Sequence, residues 1–181
     1  MLIASANESE HREQVKQVFD RLQQYGISIN TAKCVFGAST VQYLGYQIDQ
    51  KGARPVTEKV AAIQNYPKPK DVTELRRFLG MINFYRRFIA NAASVQAPLN
   101  AFLQGAKKKD KRPITWTEEA EKAFKTCKDS VANAALLAHP ENNSPLILTT
   151  DASDLACGAA LQQQVNGTWE PIAFFSKKFS P

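Results

Sequence analysis

Residues 71–89 place four arginines and several aromatic residues around one glycine, and this stretch is the first candidate for chemistry. A helix turns by about 100° per residue, which gathers one apolar stripe: Leu75, Phe78, Leu79, Ile82, Tyr85 and Ile89. A different face collects Arg76, Gly80, Asn83, Phe84 and Arg87. Arg86 falls near the apolar stripe, so we expect the helix to bend or end close to Tyr85.

The presence of glycine at position 80 needs an explanation, because glycine within a helix lowers the stability of the helix by about 1 kcal/mol relative to alanine. One reason is the close approach of another backbone, with Arg76 and Arg87 reaching phosphates on either side. The alternative is a solvated basic face with a glycine at a helix crossing. The residues of the helix leave both interpretations open.

Asp151 is the second candidate, because it ends the apolar run Leu146–Thr150. A carboxylate at the end of a buried strand can hold a divalent cation, although Asp-x-Ser after a strand more often forms an ordinary Asx turn. Metal-assisted phosphodiester cleavage needs several carboxylates around two ions about 3.5–4 Å apart. Asp154 would lie on the turn and Glu170 on the next hairpin, so neither is a convincing second ligand.

The composition indicates a globular chain with a basic middle. The 181 residues are 44% hydrophobic and 22% charged, with a net charge of +6. Residues 68–112 hold eleven basic and three acidic residues, so any interaction with a polyanion belongs there. The three cysteines lack the spacing of a disulfide framework or zinc site, and both histidines are isolated. No Gly-rich phosphate loop, nucleophilic triad or membrane-spanning run is present.

The order of elements predicts an α+β fold. A helix follows the polar residues at positions 5–9 and stops at Gly26, and the next elements are strands at 27–29 and 40–48. Helices are expected after Thr57, around Arg76, near Leu99–Leu103 and over 116–137. A strand at 146–150 then precedes a hairpin with strands near 158–165 and 172–175 and a turn at Asn166-Gly167. We interpret Lys107–Arg112 as an exposed linker with phosphate contact as a secondary role.

Taken together, an ordered set of motifs resembles the Pol polyprotein of gypsy-class LTR retrotransposons, nearly end to end. The motifs, in chain order, are Lys33-Cys34, Tyr43-Leu44-Gly45-Tyr46, Gly52-x-x-Pro55, Glu74-Leu75-Arg76-x-Phe78-Leu79-Gly80, Phe84-Tyr85-Arg86-Arg87-Phe88-Ile89, Pro98-Leu99, Trp116-Thr117-x-Glu119, Ala123-Phe124 and Thr150-Asp151-Ala152-Ser153. Their shared order and spacing are far more specific than any one motif.

The resemblance implies a division of the chain into four parts. Residues 1–54 would be the end of a reverse transcriptase palm, 55–112 a helical thumb with a basic linker, 113–143 a connecting helix, and 144–181 the first strands of a truncated RNase H-like mixed sheet. By this likeness, Tyr43, Leu44, Gly45 and Tyr46 form the primer-grip hairpin. Arg76, Gly80, Phe84 and Arg87 lie on the thumb helix that follows the template–primer minor groove.

The same likeness makes Asp151 the first metal-binding and catalytic carboxylate of ribonuclease H. The polymerase aspartate pair of the family would precede the position of Met1, and the remaining ribonuclease H carboxylates would follow that of Pro181. We therefore expect a fragment of an RNA-directed DNA polymerase and ribonuclease H that grips its substrate but holds no complete catalytic centre. Mg²⁺ or Mn²⁺ would serve the intact parent enzyme and would not be held stably by this chain.

The expected partners are an RNA–DNA hybrid, a DNA duplex template–primer and the remainder of the Pol polyprotein, with no membrane. The expected location is intracellular, in a cytoplasmic retrotransposon particle, with the nucleus as the alternative. Two other readings remain. The chain could be a non-catalytic, co-opted binding module, or a decayed remnant whose open sheet edges favour aggregation.

Overall fold

The computed structural model describes residues 1–154 and 156–179 and has an α+β architecture. Its helices are α1 (Glu8–Gln24), α2 (Thr57–Gln64), α3 (Val72–Phe84), α4 (Ala92–Ala101) and α5 (Glu118–Ala132), with short 3₁₀ helices at Thr31–Lys33 and Arg86–Phe88. Its strands are β1 (Thr40–Tyr43), β2 (Tyr46–Asp49), β3 (Gly52–Pro55), β4 (Leu146–Ala152), β5 (Ala156–Val165) and β6 (Thr168–Lys178). Within the described residues, no helix is both long and apolar enough to span a membrane.

Side-chain caps explain where three of these helices begin. Asn7 accepts a hydrogen bond from the backbone N–H of Glu10 at the start of α1. Asp71 does the same for Glu74 at the start of α3, and Thr117 does so for Ala120 at the start of α5. Each cap satisfies one of the N–H groups that a helix leaves unpaired in its first turn.

Helices α2 to α5 share one hydrophobic core. The predicted apolar stripe of α3 is confirmed, because all six of its residues are buried. The ring of Phe78 lies 4.5 Å from that of Phe124 on α5, and Leu99 of α4 is fully buried in the same cluster. The helices expected to form a thumb therefore pack directly on the helix expected to connect it to the next part of the chain.

Two antiparallel three-stranded sheets flank these helices. One has the order β1-β2-β3 and the other the order β4-β5-β6. The second sheet holds the strands expected to begin an RNase H-like mixed sheet, and its described strands pair in the antiparallel direction. The Asn166-Gly167 turn is confirmed: both residues have positive φ, at +50° and +80°, as a two-residue type I′ hairpin requires.

Three sequence predictions need correction. Residues 40–48 form two strands instead of one, because the chain reverses at Leu44-Gly45. Ile27–Ile29 forms no strand, since none of the described strands pairs with it. The helix predicted over 116–137 covers only Glu118–Ala132, because Leu137 instead forms a two-way backbone bridge with Ala53.

Candidate nucleic-acid interface

The tip of the β1–β2 hairpin is the four-residue motif Tyr43–Tyr46. Tyr43 pairs with Tyr46, and the two residues between them have positive φ, +48° at Leu44 and +83° at Gly45. The Leu44 side chain is 70% exposed. A Cβ atom on Gly45 would lie 2.9 Å from Cε1 of Phe84, so both the backbone conformation and the close approach favour glycine. The hairpin thus presents a leucine to solvent while its glycine faces α3.

The hairpin packs against the C-terminal end of α3. The ring of Tyr46 stacks on the ring of Phe84, and the Tyr46 hydroxyl donates to the Phe84 carbonyl oxygen at 3.2 Å. In the other direction, the Tyr85 hydroxyl donates to the Gly45 carbonyl oxygen at 3.3 Å. Burial, followed by the nearby Tyr46, raises the pKa of Tyr85 above its ordinary value, so this hydroxyl stays a donor. The structure therefore brings together the two segments that the sequence singled out separately.

Gly80 lies on an exposed strip of α3 that continues past the helix end. The strip, called the glycine strip below, consists of Arg77, Gly80, Asn83, Phe84 and Arg87. A Cβ atom built on Gly80 would meet no atom within 4 Å. A glycine at a crossing of two helices would have a neighbouring backbone there, so the helix crossing in that alternative is wrong for the part of the chain that the structure describes. The solvated face in the same alternative is observed, because the residues of the glycine strip are exposed.

The arginines of this region have different surroundings. Arg87 is exposed, with its guanidinium carbon 5.6 Å from the centroid of the Phe88 ring. Arg76 is half-buried and donates to the backbone carbonyl oxygens of Ala106 at 2.8 Å and Lys107 at 2.6 Å. Arg86 donates to the Ser176 carbonyl oxygen on β6. Arg76 is therefore bound to the chain itself, and its contact with phosphate stays a prediction.

Arg77 was missed by the sequence analysis. It is exposed, and no described residue forms an ion pair or hydrogen bond with its side chain. The signal that could have found it is its i,i+3 relation to Gly80, which places it on the same side of the helix. Arg77 and Arg87 are thus the two arginines of the glycine strip with no hydrogen-bond partner among the described residues.

Asp151 lies in β4 opposite Gly158 of β5. The prediction that it ends a buried strand is wrong, because every residue of β4 is exposed. The reason is that β4 is an edge strand paired on one side only, and no described element covers its faces. Residues 1–154 and 156–179 contain no group of three or more His, Cys, Asp or Glu that could hold a metal ion. One exposed carboxylate does not make a site for a divalent cation, so the described residues do not fit that role alone.

Two family models match the chain in sequence. The family described as reverse transcriptase (RNA-dependent DNA polymerase) matches residues 1–48, and the RNase H-like domain found in reverse transcriptase matches residues 116–181. The retrovirus-related Pol polyprotein from transposon 412 of Drosophila melanogaster is 34% identical over 180 residues. The transposon Tf2-3 polyprotein of Schizosaccharomyces pombe is 37% identical over 181 residues. Each match covers 99% of this chain but only 13–14% of the relative's length.

Solved structures of foamy viral protease–reverse transcriptase are also similar. The complex with double-stranded DNA superposes with a TM-score of 0.79 and 27% identity, covering 98% of this chain and 31% of that one. The complex with an RNA/DNA hybrid gives a TM-score of 0.78 and 27% identity, covering 98% and 24%. Reverse transcriptases and ribonucleases H generally use divalent metal ions. With these matches in sequence and structure, the chain belongs to the Pol polyprotein family of LTR retrotransposons and corresponds to its reverse transcriptase and RNase H-like portions.

Proposed function

We propose that this chain grips the template–primer duplex for a gypsy-class reverse transcriptase. The observation that carries the proposal is the continuous surface made by the hairpin tip and the glycine strip. Tyr46 and Phe84 join the two parts, and Gly80 leaves an open approach on the exposed side of α3. A surface of this kind can admit a sugar–phosphate backbone, because it combines close approach with exposed arginines.

Within this proposal, each residue of the surface has a role that follows from its environment. Tyr43, Leu44, Gly45 and Tyr46 hold the primer end, with the exposed Leu44 as the contacting side chain. Gly80 and Phe84 face the minor groove. Arg77 and Arg87 reach the phosphates, because their guanidinium groups are exposed and lack acidic partners among the described residues. The proposed partners are an RNA–DNA hybrid, a DNA duplex and the rest of the Pol polyprotein.

The remaining expectations belong to the same proposal. In the parent enzyme, Mg²⁺ or Mn²⁺ would supply two-ion catalysis of nucleotidyl transfer and of RNA hydrolysis. Asp151 would be one carboxylate ligand among others contributed from outside the described residues. We propose the division that the family resemblance implies: a palm end at 1–54, a thumb with its basic linker at 55–112, a connecting helix at 113–143 and the first RNase H strands at 144–181. The proposed location is intracellular, in a cytoplasmic particle or the nucleus.

The test is duplex binding by the purified chain, measured by fluorescence anisotropy on a labelled RNA–DNA hybrid across a salt titration. Binding through phosphates should weaken steeply with salt, with a slope approaching about −0.9 per phosphate contacted on B-form duplex. Gly80→Leu should weaken binding at least tenfold by filling the open approach. The matched control is Ala61→Leu, which adds a similar side chain at an exposed position of α2.

Either of two results would contradict the proposal. One is a folded wild-type chain whose binding is absent or insensitive to salt. The other is a folded Gly80→Leu chain with wild-type affinity. Circular dichroism and thermal melting of each variant establish that it is folded, which separates a lost contact from a lost structure. A DNA duplex of the same sequence, measured in parallel, reports whether the surface distinguishes the two kinds of duplex.

A further inference from the structure

The basic segment that follows α4 is held against α3 instead of extending into solvent. Arg76 donates from its two terminal nitrogens to two consecutive carbonyl oxygens, those of Ala106 and Lys107, at 2.8 and 2.6 Å. A planar guanidinium can bind two acceptors at once in a fixed geometry, which the ammonium of lysine cannot reproduce. Arg76 thereby fixes the backbone at the point where the basic segment begins.

Further hydrogen bonds fix the end of the same segment. The Thr73 hydroxyl donates to the Asp110 carbonyl oxygen at 2.7 Å, and the Val72 N–H donates to the Arg112 carbonyl oxygen at 3.1 Å. The Ile114 N–H then donates to the Lys70 carbonyl oxygen at 3.0 Å. Residues 107–111, called the lysine loop below, are therefore attached at both ends to the first turns of α3.

The charges of the lysine loop point outward. Its four lysines are all exposed and form no ion pair with any described residue: Lys107, Lys108, Lys109 and Lys111. Its one acidic side chain, Asp110, accepts from the backbone N–H of Arg112 at 2.9 Å and from its Nε at 2.7 Å. The backbone hydrogen bond from Arg112 keeps the pKa of Asp110 below its ordinary value, so this carboxylate stays ionised and bound to Arg112. The lysines are thus not neutralised from within the loop.

The position of the loop relative to Gly80 indicates its partner. Arg76 and Gly80 are four residues apart, so they neighbour each other on α3 about 6 Å apart along its axis. The loop held by Arg76 consequently lies beside the N-terminal end of the glycine strip, and the hairpin tip lies at its other end. A cluster of unpaired lysines beside a surface that admits a duplex suits the phosphates of that duplex, because ammonium groups bind phosphate as point charges.

We infer that the lysine loop is a second phosphate-binding element of this surface and that Arg76 is a positioning residue that holds it, without itself contacting phosphate. The inference rests on the proposed duplex binding and deepens it. The place of Arg76 on the helix face predicts a direct contact with phosphate, and the inference replaces that contact with a positioning role. The sequence could not reveal this role, because the carbonyl oxygens that bind Arg76 lie 30 and 31 residues further along the chain.

A double-mutant cycle on the 181-residue chain separates positioning from direct contact. The variants are Arg76→Ala, a loop variant in which Lys107, Lys108, Lys109 and Lys111 become Gln, and their combination. Binding to the RNA–DNA hybrid is measured across salt. We expect the loop variant to flatten the salt slope by the equivalent of about two to four phosphates. Arg76→Ala should weaken binding in the wild-type background and have little further effect in the loop variant.

Two additional measurements test the positioning role itself. Arg76→Lys keeps the charge but loses the paired carbonyl contacts, so we expect it to resemble Arg76→Ala, whereas a direct phosphate contact would be largely rescued by lysine. Trypsin should cleave the lysine loop at least several-fold faster in Arg76→Ala than in wild type, because the loop is no longer held. Arg77→Ala, one position along the same helix, is the matched control and should leave the cleavage rate unchanged.

Three results would overturn the inference. They are an unchanged salt slope in the loop variant, equal effects of Arg76→Ala in both backgrounds, and wild-type trypsin cleavage in Arg76→Ala. If wild type binds with a steep salt dependence and Gly80→Leu weakens it while any of these appears, only the lysine-loop inference fails. If the folded wild-type chain does not bind duplex at all, the proposed function fails and the inference fails with it.

Discussion

The ring of Tyr46 lies flat on the ring of Phe84, with centroids 5.2 Å apart and planes 7° from parallel. The Tyr46 hydroxyl also donates to the carbonyl oxygen of Phe84. These residues are 38 positions apart and belong to different elements, a hairpin strand and a helix end. The orientation of the hairpin tip is therefore set by α3, and a disturbance at Phe84 should reach both halves of the proposed duplex surface.

Phe84→Ala should loosen the hairpin and weaken duplex binding. Removing the ring deletes a stacked aromatic pair, which is worth about 0.5–1.5 kcal/mol beyond the area it buries. We expect a loss of about 1–2 kcal/mol in the free energy of unfolding, measured in urea, and at least a fivefold loss in hybrid affinity. Phe175→Ala is the control, because that ring is exposed to a similar extent on β6. Equal affinity losses in both variants would contradict the coupling.

Gly45→Ala should destabilise the chain more than Gly37→Ala. Both glycines have positive φ, at +83° and +61°, so both substitutions strain the backbone by about 1–2 kcal/mol. Only at Gly45 does the added Cβ meet another side chain, 2.9 Å from Phe84, whereas at Gly37 it meets nothing within 4 Å. The difference between the two unfolding free energies therefore isolates the close approach. If the two losses are equal, the hairpin does not depend on its contact with Phe84.

Gly80→Ala should change stability and binding in opposite directions. The added methyl group has open space, and alanine favours a helix over glycine by about 0.8–1 kcal/mol, so the free energy of unfolding should rise by about that amount. Duplex affinity should fall, because the methyl group occupies the approach. Chemical denaturation and anisotropy on the same preparation check both signs. A more stable variant with unchanged affinity would show that Gly80 does not face the duplex.

Gln163→Leu should destabilise the contact between β5 and the segment that holds His139 and Glu141. The Gln163 side chain is buried, accepts from the backbone N–H of Glu141 at 2.9 Å and donates to the carbonyl oxygen of His139 at 2.8 Å. Leucine keeps the volume but leaves both backbone groups without this partner, which should cost about 1–3 kcal/mol in urea denaturation. Gln164→Leu, at the partly exposed next position, should cost less than about 0.5 kcal/mol.

Cys127 should be the slow thiol of the three in a reaction with a thiol reagent. Burial raises the pKa of Cys127 to about 12, so at pH 8 almost none of it is thiolate, which is the reactive form. Cys34 and Cys157 are only partly buried and should react first. We expect two thiols to react in the native chain and the third only after denaturation. Three equally fast thiols would contradict the buried position of Cys127.

The same raised pKa predicts how stability depends on pH. The folded chain holds the Cys127 proton more tightly than the unfolded chain, whose thiol has the ordinary value of 9.0. The contribution of the protonated Cys127 thiol to the free energy of unfolding is fully present below pH 9 and is lost as the pH rises from about 9 towards 12. Cys127→Ala should remove this part of the alkaline dependence, as seen in melting temperatures measured over that range.

Much of the local structure could be predicted from the residues alone. The apolar stripe of α3, its end near Tyr85 and the Asn166-Gly167 turn are all confirmed. These features depend on side chains within about four positions of one another, so their periodicity and turn chemistry are visible in the sequence. The reversal at Leu44-Gly45 escaped the periodicity, because leucine rarely adopts positive φ and gives no turn signal.

The chain's residue order determined its family, the faces of its helices and the basic character of its middle. Only the tertiary structure decided what Arg76 binds, that Leu137 pairs with Ala53 instead of extending α5, and that β4 with Asp151 stays exposed. The physical reason is the same in each case. The groups that contact Arg76 and Leu137 lie 30 or more residues away in the chain, and no described element covers β4. The local sequence pattern carries no information about contacts at that separation.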